Sequence, residues 1–258
     1  MSTNIHPTAL VDSKAEIDEG VSIGPFAIIE ANVKIGKNCS IGPHAHIAWG
    51  AHLAAEVKVH TGAVLATVPQ DLKFGNEETT LEVGERTVIR EYATLNRGTH
   101  DRWKTTVGSD CLIMAYAHVA HDCIVGNHCI LANSVNLAGH IVIEDWVSIG
   151  GQVPVHQFVR IGQHTFVGGG YRVPKDVPPY IRALGEPLTF GGLNSVGLRR
   201  RGFSQETMAT IKRAYKVLFK SNLNVTQALA KIRETAELTP EVRNIVEFIE
   251  KCERGIIG

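Results

Sequence analysis

The sequence is poor in aromatic residues. Only 6% of its 258 residues are Phe, Trp or Tyr, so a core must be built from aliphatic and small side chains. It has no net charge, with 26 basic groups against 26 acidic ones, which excludes a chain that coats nucleic acid along its length. No apolar run approaches the roughly 20 residues that cross a bilayer, so no membrane span is expected. The N-terminal stretch MSTNIHPTALVDSKAEIDEG has no basic segment leading into an apolar one, so no secretory signal is expected either. There is no CxxC pair. The five cysteines, Cys39, Cys111, Cys123, Cys129 and Cys252, read as reduced thiols of a cytoplasmic protein. What remains is 44% apolar residues, enough for one large domain or two smaller ones, together with 25 Gly and 12 His.

A six-residue period organises this material. From Ile5, every sixth residue is aliphatic: Val11, Ile17, Ile23, Ile29, Ile35, Ile41, Ile47, Leu53, Val59 and Leu65. The series resumes at Val83, Ile89 and Leu95, then runs unbroken from Val107 to Val173. Its exceptions are Asp71, Glu77 and Asp101. Four residues after most of the aliphatics stands a small residue, such as Ala15, Ala27, Cys39 or Ala45. A helix repeats near 3.6 residues and a plain strand near 2, so neither yields six. A coil with three short flat faces does: each hexad gives a strand and a corner, and three hexads close a turn of about 18 residues. Ile5 to Val173 is therefore expected to be a parallel β-helix with an aliphatic bore, too narrow for many rings.

The exceptions mark two excursions, Thr67–Thr80 (TVPQDLKFGNEETT) and Gly98–Thr105 (GTHDRWKT). Loops that interrupt a solenoid often carry a binding surface, the alternative being an inert bulge. After Val173 a Pro-rich strap, VPKDVPPYIRALGEP, leads to helical patterns. Ser204 is an N-cap before Met208, Ile211, Tyr215 and Leu218. Val225, Leu229 and Ile232 form a second stripe. Thr239-Pro240 opens a third helix, with Val242, Ile245, Val246 and Ile249, that Gly255 can end. The expected fold is mainly β: a β-helix over residues 1–187, then a small α-helical domain over 188–258 that caps it.

The 18-residue turn also predicts neighbours. His121, Gly139 and Gln157 fall in one column, Asp122 stacks with His140, and Ala138 lies beneath His156. With His118, these side chains are expected to gather on one outer edge, away from the buried positions. A neutral His there can act as a general base, typically worth about 10²–10⁴-fold. A carboxylate beside it would fix the tautomer, and a Gly N–H one turn away could donate to an oxyanion. Zinc is the other chemistry open to such a patch, but no Cys lies in the column and the spacing does not suggest a closed ligand set.

The hexads resemble those of the hexapeptide-repeat acyltransferases, which implies a left-handed coil and a homotrimer. The segments VPQDLKF (68–74), AHVAHDC (117–123), LAGH (137–140), VHQF (155–158), DVPPY (176–180) and GLNSVGLRRRGFS (192–204) are narrower. They resemble the UDP-N-acetylglucosamine O-acyltransferase family that begins lipid A synthesis, over the whole chain. The resemblance implies transfer of a 3-hydroxyacyl chain from acyl carrier protein to the sugar 3-hydroxyl, with no cofactor and no metal. It implies His121 as base, Asp122 as its orienter and Gly139 N–H as oxyanion donor. Gln70, Asp71, Lys73, His118, His140, His156 and Gln157 would line the sugar–diphosphate site. Asn194, Arg200 and Arg201 would face the nucleotide, and Gly169 with Phe166 would set acyl length. Arg199–Lys220 independently suits an acidic partner, with seven basic residues against Glu206.

The chain departs from the family pattern in places. Some members have Glu where Val196 stands, so the nucleobase must be read differently in detail. Asn96-Arg97-Gly98-Thr99 replaces a His-Arg-Gly-Thr. Relatives that acylate a 3-amino UDP-sugar leave that acceptor open, and a zinc-dependent carbonic anhydrase-like role is the more distant alternative. A related N-acyltransferase would carry a globular domain ahead of the coil, for which hexads starting at Ile5 leave no room.

Overall fold

The computed structural model describes residues 2–258. Most aliphatics of the hexad series end a short strand, as in Ser22–Ile23, Ile28–Ile29 and Lys34–Ile35. The strands stack into three sheets of eleven, eight and eight. Pairing is parallel with an 18-residue step: Ser22 pairs with Ser40, Ile28 with His46 and Lys34 with His52. From Ile23 to Val173 every aliphatic of the series is at most 3% exposed. Each such burial is worth about 1.5–3 kcal/mol. The small residues four positions later, such as Ala27, Val33 and Ala45, are fully buried where a corner turns into the next strand. Cys39, Cys111, Cys123 and Cys129 all fill this position as free thiols.

The first coil differs from the expectation of a closed bore. Ile5 is 42% exposed and Val11 and Ile17 are only half-buried, because among the described residues no layer lies beneath them.

The corners carry backbone strain. Among the described residues, twenty-one non-glycines have φ between +55° and +67°, including Asp122, His140 and Phe158. This left-handed conformation costs about 1–2 kcal/mol per residue. Stacking offsets it: rings pair across coils in Phe26–His44, Tyr92–Tyr116, His128–Trp146 and His140–Phe158.

The excursions lengthen coils by whole hexads. Lys58 pairs with Val88, thirty residues on, and Glu82 with Thr106, twenty-four on. The first therefore adds twelve residues to a coil and the second six, which is why the hexad phase survives both.

At the far end, Ile181–Leu184 pairs parallel with Phe166–Val167 and antiparallel with Thr189–Leu193. The expected boundary at 187/188 thus falls inside a hairpin of the largest sheet, and the helices begin at Ser195. They are α1 (Ser195–Arg200), α2 (Gln205–Lys220), α3 (Val225–Thr235) and α4 (Pro240–Glu250). Ser204, Asn224 and Thr239 cap the last three by accepting a backbone N–H. α2 docks on the coil through Tyr215, whose buried hydroxyl donates to Pro179 O (2.6 Å). Helix α4 stops at Glu250, before Gly255. Gly255 (φ +71°) instead shapes a terminal turn in which its carbonyl accepts the Asp176 N–H and Ile257 N–H donates to Asp176 O.

Candidate active site

The register places His118, Asn136 and Pro154 one above another on the second face, and Val119, Leu137 and Val155 inside it. The corner that follows carries His121, Gly139 and Gln157, then Asp122, His140 and Phe158. A cleft of about 830 Å³ opens along this edge. Its walls include His118, His121, Gly139, His140 and Gln157 from the coil, and Gln70, Asp71 and Lys73 from the first excursion.

On this outer edge, however, His121 and Asp122 are covered. They are 7% and 0% exposed, because the second excursion folds over them. Thr99 donates twice to Asp122, from its N–H to Oδ1 (3.0 Å) and from Oγ1 to Oδ2 (2.7 Å). Arg102 N–H adds a third bond to Oδ1 (3.2 Å), and its guanidinium donates to the Asp122 carbonyl (2.8 Å). The Asp122 N–H donates to Thr105 Oγ1 (2.8 Å). Burial alone would raise the Asp122 pKa, but the bonds from His121 and Thr99 outweigh it and hold it at about 2. The carboxylate is a fixed anion, and the second excursion is no inert bulge.

That anion orients the imidazole. His121 Nδ1–H donates to Asp122 Oδ2 (2.8 Å), which leaves the Nε2 lone pair free. The Cε1–Nε2 edge lies over Gly139: a Cβ built there would sit 2.6 Å from Cε1 and 2.8 Å from Nε2. Among the described residues no acceptor takes the Gly139 N–H. His140 stands edge-on to His121, with centroids 5.1 Å apart, and stacks on Phe158. Its Nδ1 is 3.0 Å from Asp101 Oδ2 but out of line for a hydrogen bond. Burial lowers the pKa of both His140 and His118, so each is neutral near pH 7. His118 Nδ1 is tied to Thr94 Oγ1 (2.7 Å), which aims its other nitrogen outward.

His121, Asp122 and His140 bring three ligand-type atoms within 4.8 Å of one another. The carboxylate oxygens, however, are already engaged by Thr99, Arg102 and His121. The nitrogen facing Asp122 is the protonated one. The set fits a hydrogen-bonded relay better than a metal cage.

Several expected residues lie elsewhere in the single chain. His156 is exposed beside the cleft, with Nδ1 donating to Gln157 O (2.9 Å). Asn194, Arg200 and Arg201 sit past the third face. Asn194 caps α1 and donates to His164 O (2.9 Å), Arg200 is exposed, and Arg201 lies over Trp146 (5.0 Å). Gly169 and Phe166 lie outside the cleft, on the first face and its corner with the second; a Cβ at 169 would meet Gly151 O at 3.2 Å. Conversely, the cleft gains His100, Asp101, Asn136 and Phe158. Phe158 was reachable from the register, 18 residues after His140. Thr99 and Arg102 were not, since an excursion has no register.

The family described as Udp N-acetylglucosamine O-acyltransferase, domain 2, matches residues 176–257. Bacterial transferase hexapeptide repeats match 14–48 and 104–139, and hexapeptide repeats of succinyl-transferase match 32–66. An acyl-[acyl-carrier-protein]–UDP-N-acetylglucosamine O-acyltransferase of Chlorobaculum parvum is 58% identical over 254 residues, covering 98% of this chain and 96% of its own. That of Thiobacillus denitrificans is 42% identical over 254 residues, covering 98% of each chain. The solved UDP-N-acetylglucosamine acyltransferase of Bacteroides fragilis superposes with a TM-score of 0.97 at 44% identity, covering 98% of this chain and 99% of its own. The coil is accordingly the left-handed parallel β-helix, and the chain belongs to the UDP-N-acetylglucosamine O-acyltransferase family.

Proposed function

We propose that the chain transfers a 3-hydroxyacyl group from acyl carrier protein to the 3-hydroxyl of UDP-N-acetylglucosamine, the first step of lipid A biosynthesis. The observation that carries this reading is the relay Thr99–Asp122–His121 ending in a free Nε2 over Gly139. His121 Nε2 takes the proton of the sugar hydroxyl as its oxygen forms a bond to the thioester carbonyl carbon. Asp122 stabilises the imidazolium that results. The carbonyl oxygen becomes the oxyanion and receives the Gly139 N–H. Collapse breaks the carbon–sulfur bond, and the leaving thiolate takes the proton back from His121.

Gln70, Asp71, Lys73, His118, His140 and Gln157 line the cleft where the sugar and diphosphate would lie, with His156 at its rim. Asn194, Arg200 and Arg201 serve the nucleotide of a neighbouring copy: in a homotrimer the corner beyond the third face of one copy meets the cleft of the next. Gly169 and Phe166 act on the acyl tail beyond the cleft. Lys212, Lys216 and Lys220 line a groove floored by Phe190 and Leu193, the chemistry that an acidic carrier bearing an acyl arm needs. The reaction is assigned to the cytoplasm, where acyl carrier protein and the five free thiols belong; no helix is long and apolar enough to cross a membrane.

Mass spectrometry of the product, from a mixed pool of 3-hydroxyacyl carrier protein thioesters offered with UDP-N-acetylglucosamine and its 3-amino analogue, tests this reading. An ester on the 3-oxygen is the expected product. No acylated sugar nucleotide would overturn the assignment, and an amide alone would move it to the 3-amino acceptor.

A further inference from the structure

The first excursion is attached to the coil at its ends but hardly in between. Asn96 Nδ2 donates to Thr67 Oγ1 (3.0 Å) and Val68 O (3.2 Å), and Thr79 Oγ1 donates to Gly98 O (2.6 Å). Among the described residues, the hydrogen bonds of 71–75 stay inside the loop: Lys73 N–H to Asp71 Oδ1, Phe74 N–H to Asp71 O, and Gly75 N–H to Glu77 Oε2. Leu72 at the tip is fully exposed. Two contacts reach this part of the loop from outside it: His100 Nδ1 lies 3.3 Å from Glu77 Oε1, just past the stretch 71–75, and Arg97 meets the stretch itself. The Arg97 guanidinium lies 5.4 Å from the Phe74 ring centroid and 5.3 Å from that of Trp49, so it contacts an aromatic of the loop and one of the coil. Its Nε is buried and has no hydrogen-bond partner. The Trp49 side is itself anchored, since Trp49 N–H donates to Glu30 Oε2 (2.9 Å) and His46 Nε2 bonds Oε1 (2.7 Å).

We infer that Arg97 is a positioning residue that clamps the first excursion over the cleft and thereby places Gln70, Asp71 and Lys73 for the sugar diphosphate. The inference rests on the proposed role of those three residues. A planar cation suits the task, because both faces of a guanidinium accept a ring and the two contacts need no directional bond. A lysine keeps the charge without the planar stack. The clamp grips next to Lys73, so its loss frees the part of the loop that meets substrate and leaves the His121–Asp122 relay in place.

The test uses Arg97→Gln, Arg97→Lys and, from the loop side, Phe74→Leu. Arg97→Gln is expected to raise the KM for UDP-N-acetylglucosamine about tenfold with kcat within about threefold, and Arg97→Lys to recover part of the loss. Phe74→Leu should match it, and the double variant should be no worse than either single, because both remove one contact. Tryptic cleavage after Lys73 in the substrate-free protein should accelerate about tenfold in each variant. An unchanged KM with unchanged cleavage, or additive effects in the double variant, would overturn the clamp. Lys73→Ala separates the two levels. If it leaves KM unaltered, the loop's substrate role fails, and the cleavage rate alone then decides whether Arg97 holds the loop.

Discussion

The His121 imidazole occupies the space directly over the Gly139 α-carbon, one coil away, where a Cβ would stand 2.6 Å from its ring. The proposed base and oxyanion donor are therefore one packed unit, and the glycine is required by contact instead of by a left-handed φ. Gly139→Ala must push the ring aside or tilt the N–H. It is expected to lower kcat by about 10²–10³-fold, the usual size of a lost oxyanion donor or base alignment, in single-turnover assays.

His121→Ala is expected to leave less than about 1% of turnover. Because His121 is buried and bonded to Asp122, the substitution should also cost about 1–2 kcal/mol in urea unfolding, unlike removal of a solvated surface histidine. Activity that survives at more than a few per cent would remove His121 from the role of base.

Asp122 gives a pH signature. Its folded pKa, about 2, lies below the ordinary carboxylate value near 3.9. A depressed carboxylate contributes stability that is fully present above the unfolded pKa and is lost as the pH falls through the folded one. The wild type is thus expected to lose on the order of 2 kcal/mol between about pH 4 and pH 2. Asp122→Asn should lack this loss, so the two unfolding curves should converge at the acid end; parallel curves would contradict the buried relay.

Thr99 is the largest test of the second excursion. Thr99→Val removes the hydroxyl donor from Oδ2 while keeping shape, and Thr99→Ser restores it. Valine should lower kcat about tenfold, because Asp122 loses a donor that fixes the carboxylate against the imidazole. Serine should recover most of the loss. A valine variant with unaltered kcat would reduce Thr99 to packing.

Arg200→Ala and Arg201→Ala should each raise the KM for the nucleotide sugar more than they lower kcat. They should differ in stability: Arg201 covers the Trp146 ring, whereas Arg200 is exposed. A lower melting temperature is expected only for Arg201→Ala. Unchanged KM values would take both arginines out of the nucleotide site.

The coil was legible in the sequence because its register is arithmetic. Stepping by 18 places His121 above Gly139 and Asp122 above His140, and the pairing Val119–Leu137–Val155 does the same. The excursions adding whole hexads kept that arithmetic valid past Leu95. Their own docking follows no period. Nothing in GTHDRWKT announces that Thr99 and Arg102 bury Asp122, since those bonds depend on where an irregular loop lands. Helix α1 was missed because six residues with Gly197 inside show no apolar stripe. The hairpin's first strand, Ile181–Leu184, hid within the Pro-rich strap, and its second, Thr189–Leu193, just past it.

Among the described residues the two ends of the coil are unequal: Ile5 is exposed at one, and helices roof the other. Unfolding therefore has a direction. Amide exchange should advance as a front from the first coil toward the later ones, because each coil is held only by its neighbours. The chemistry proposed for His121 and Gly139 lies on the sheltered side of that front. The early coils can open and reclose without disturbing the relay.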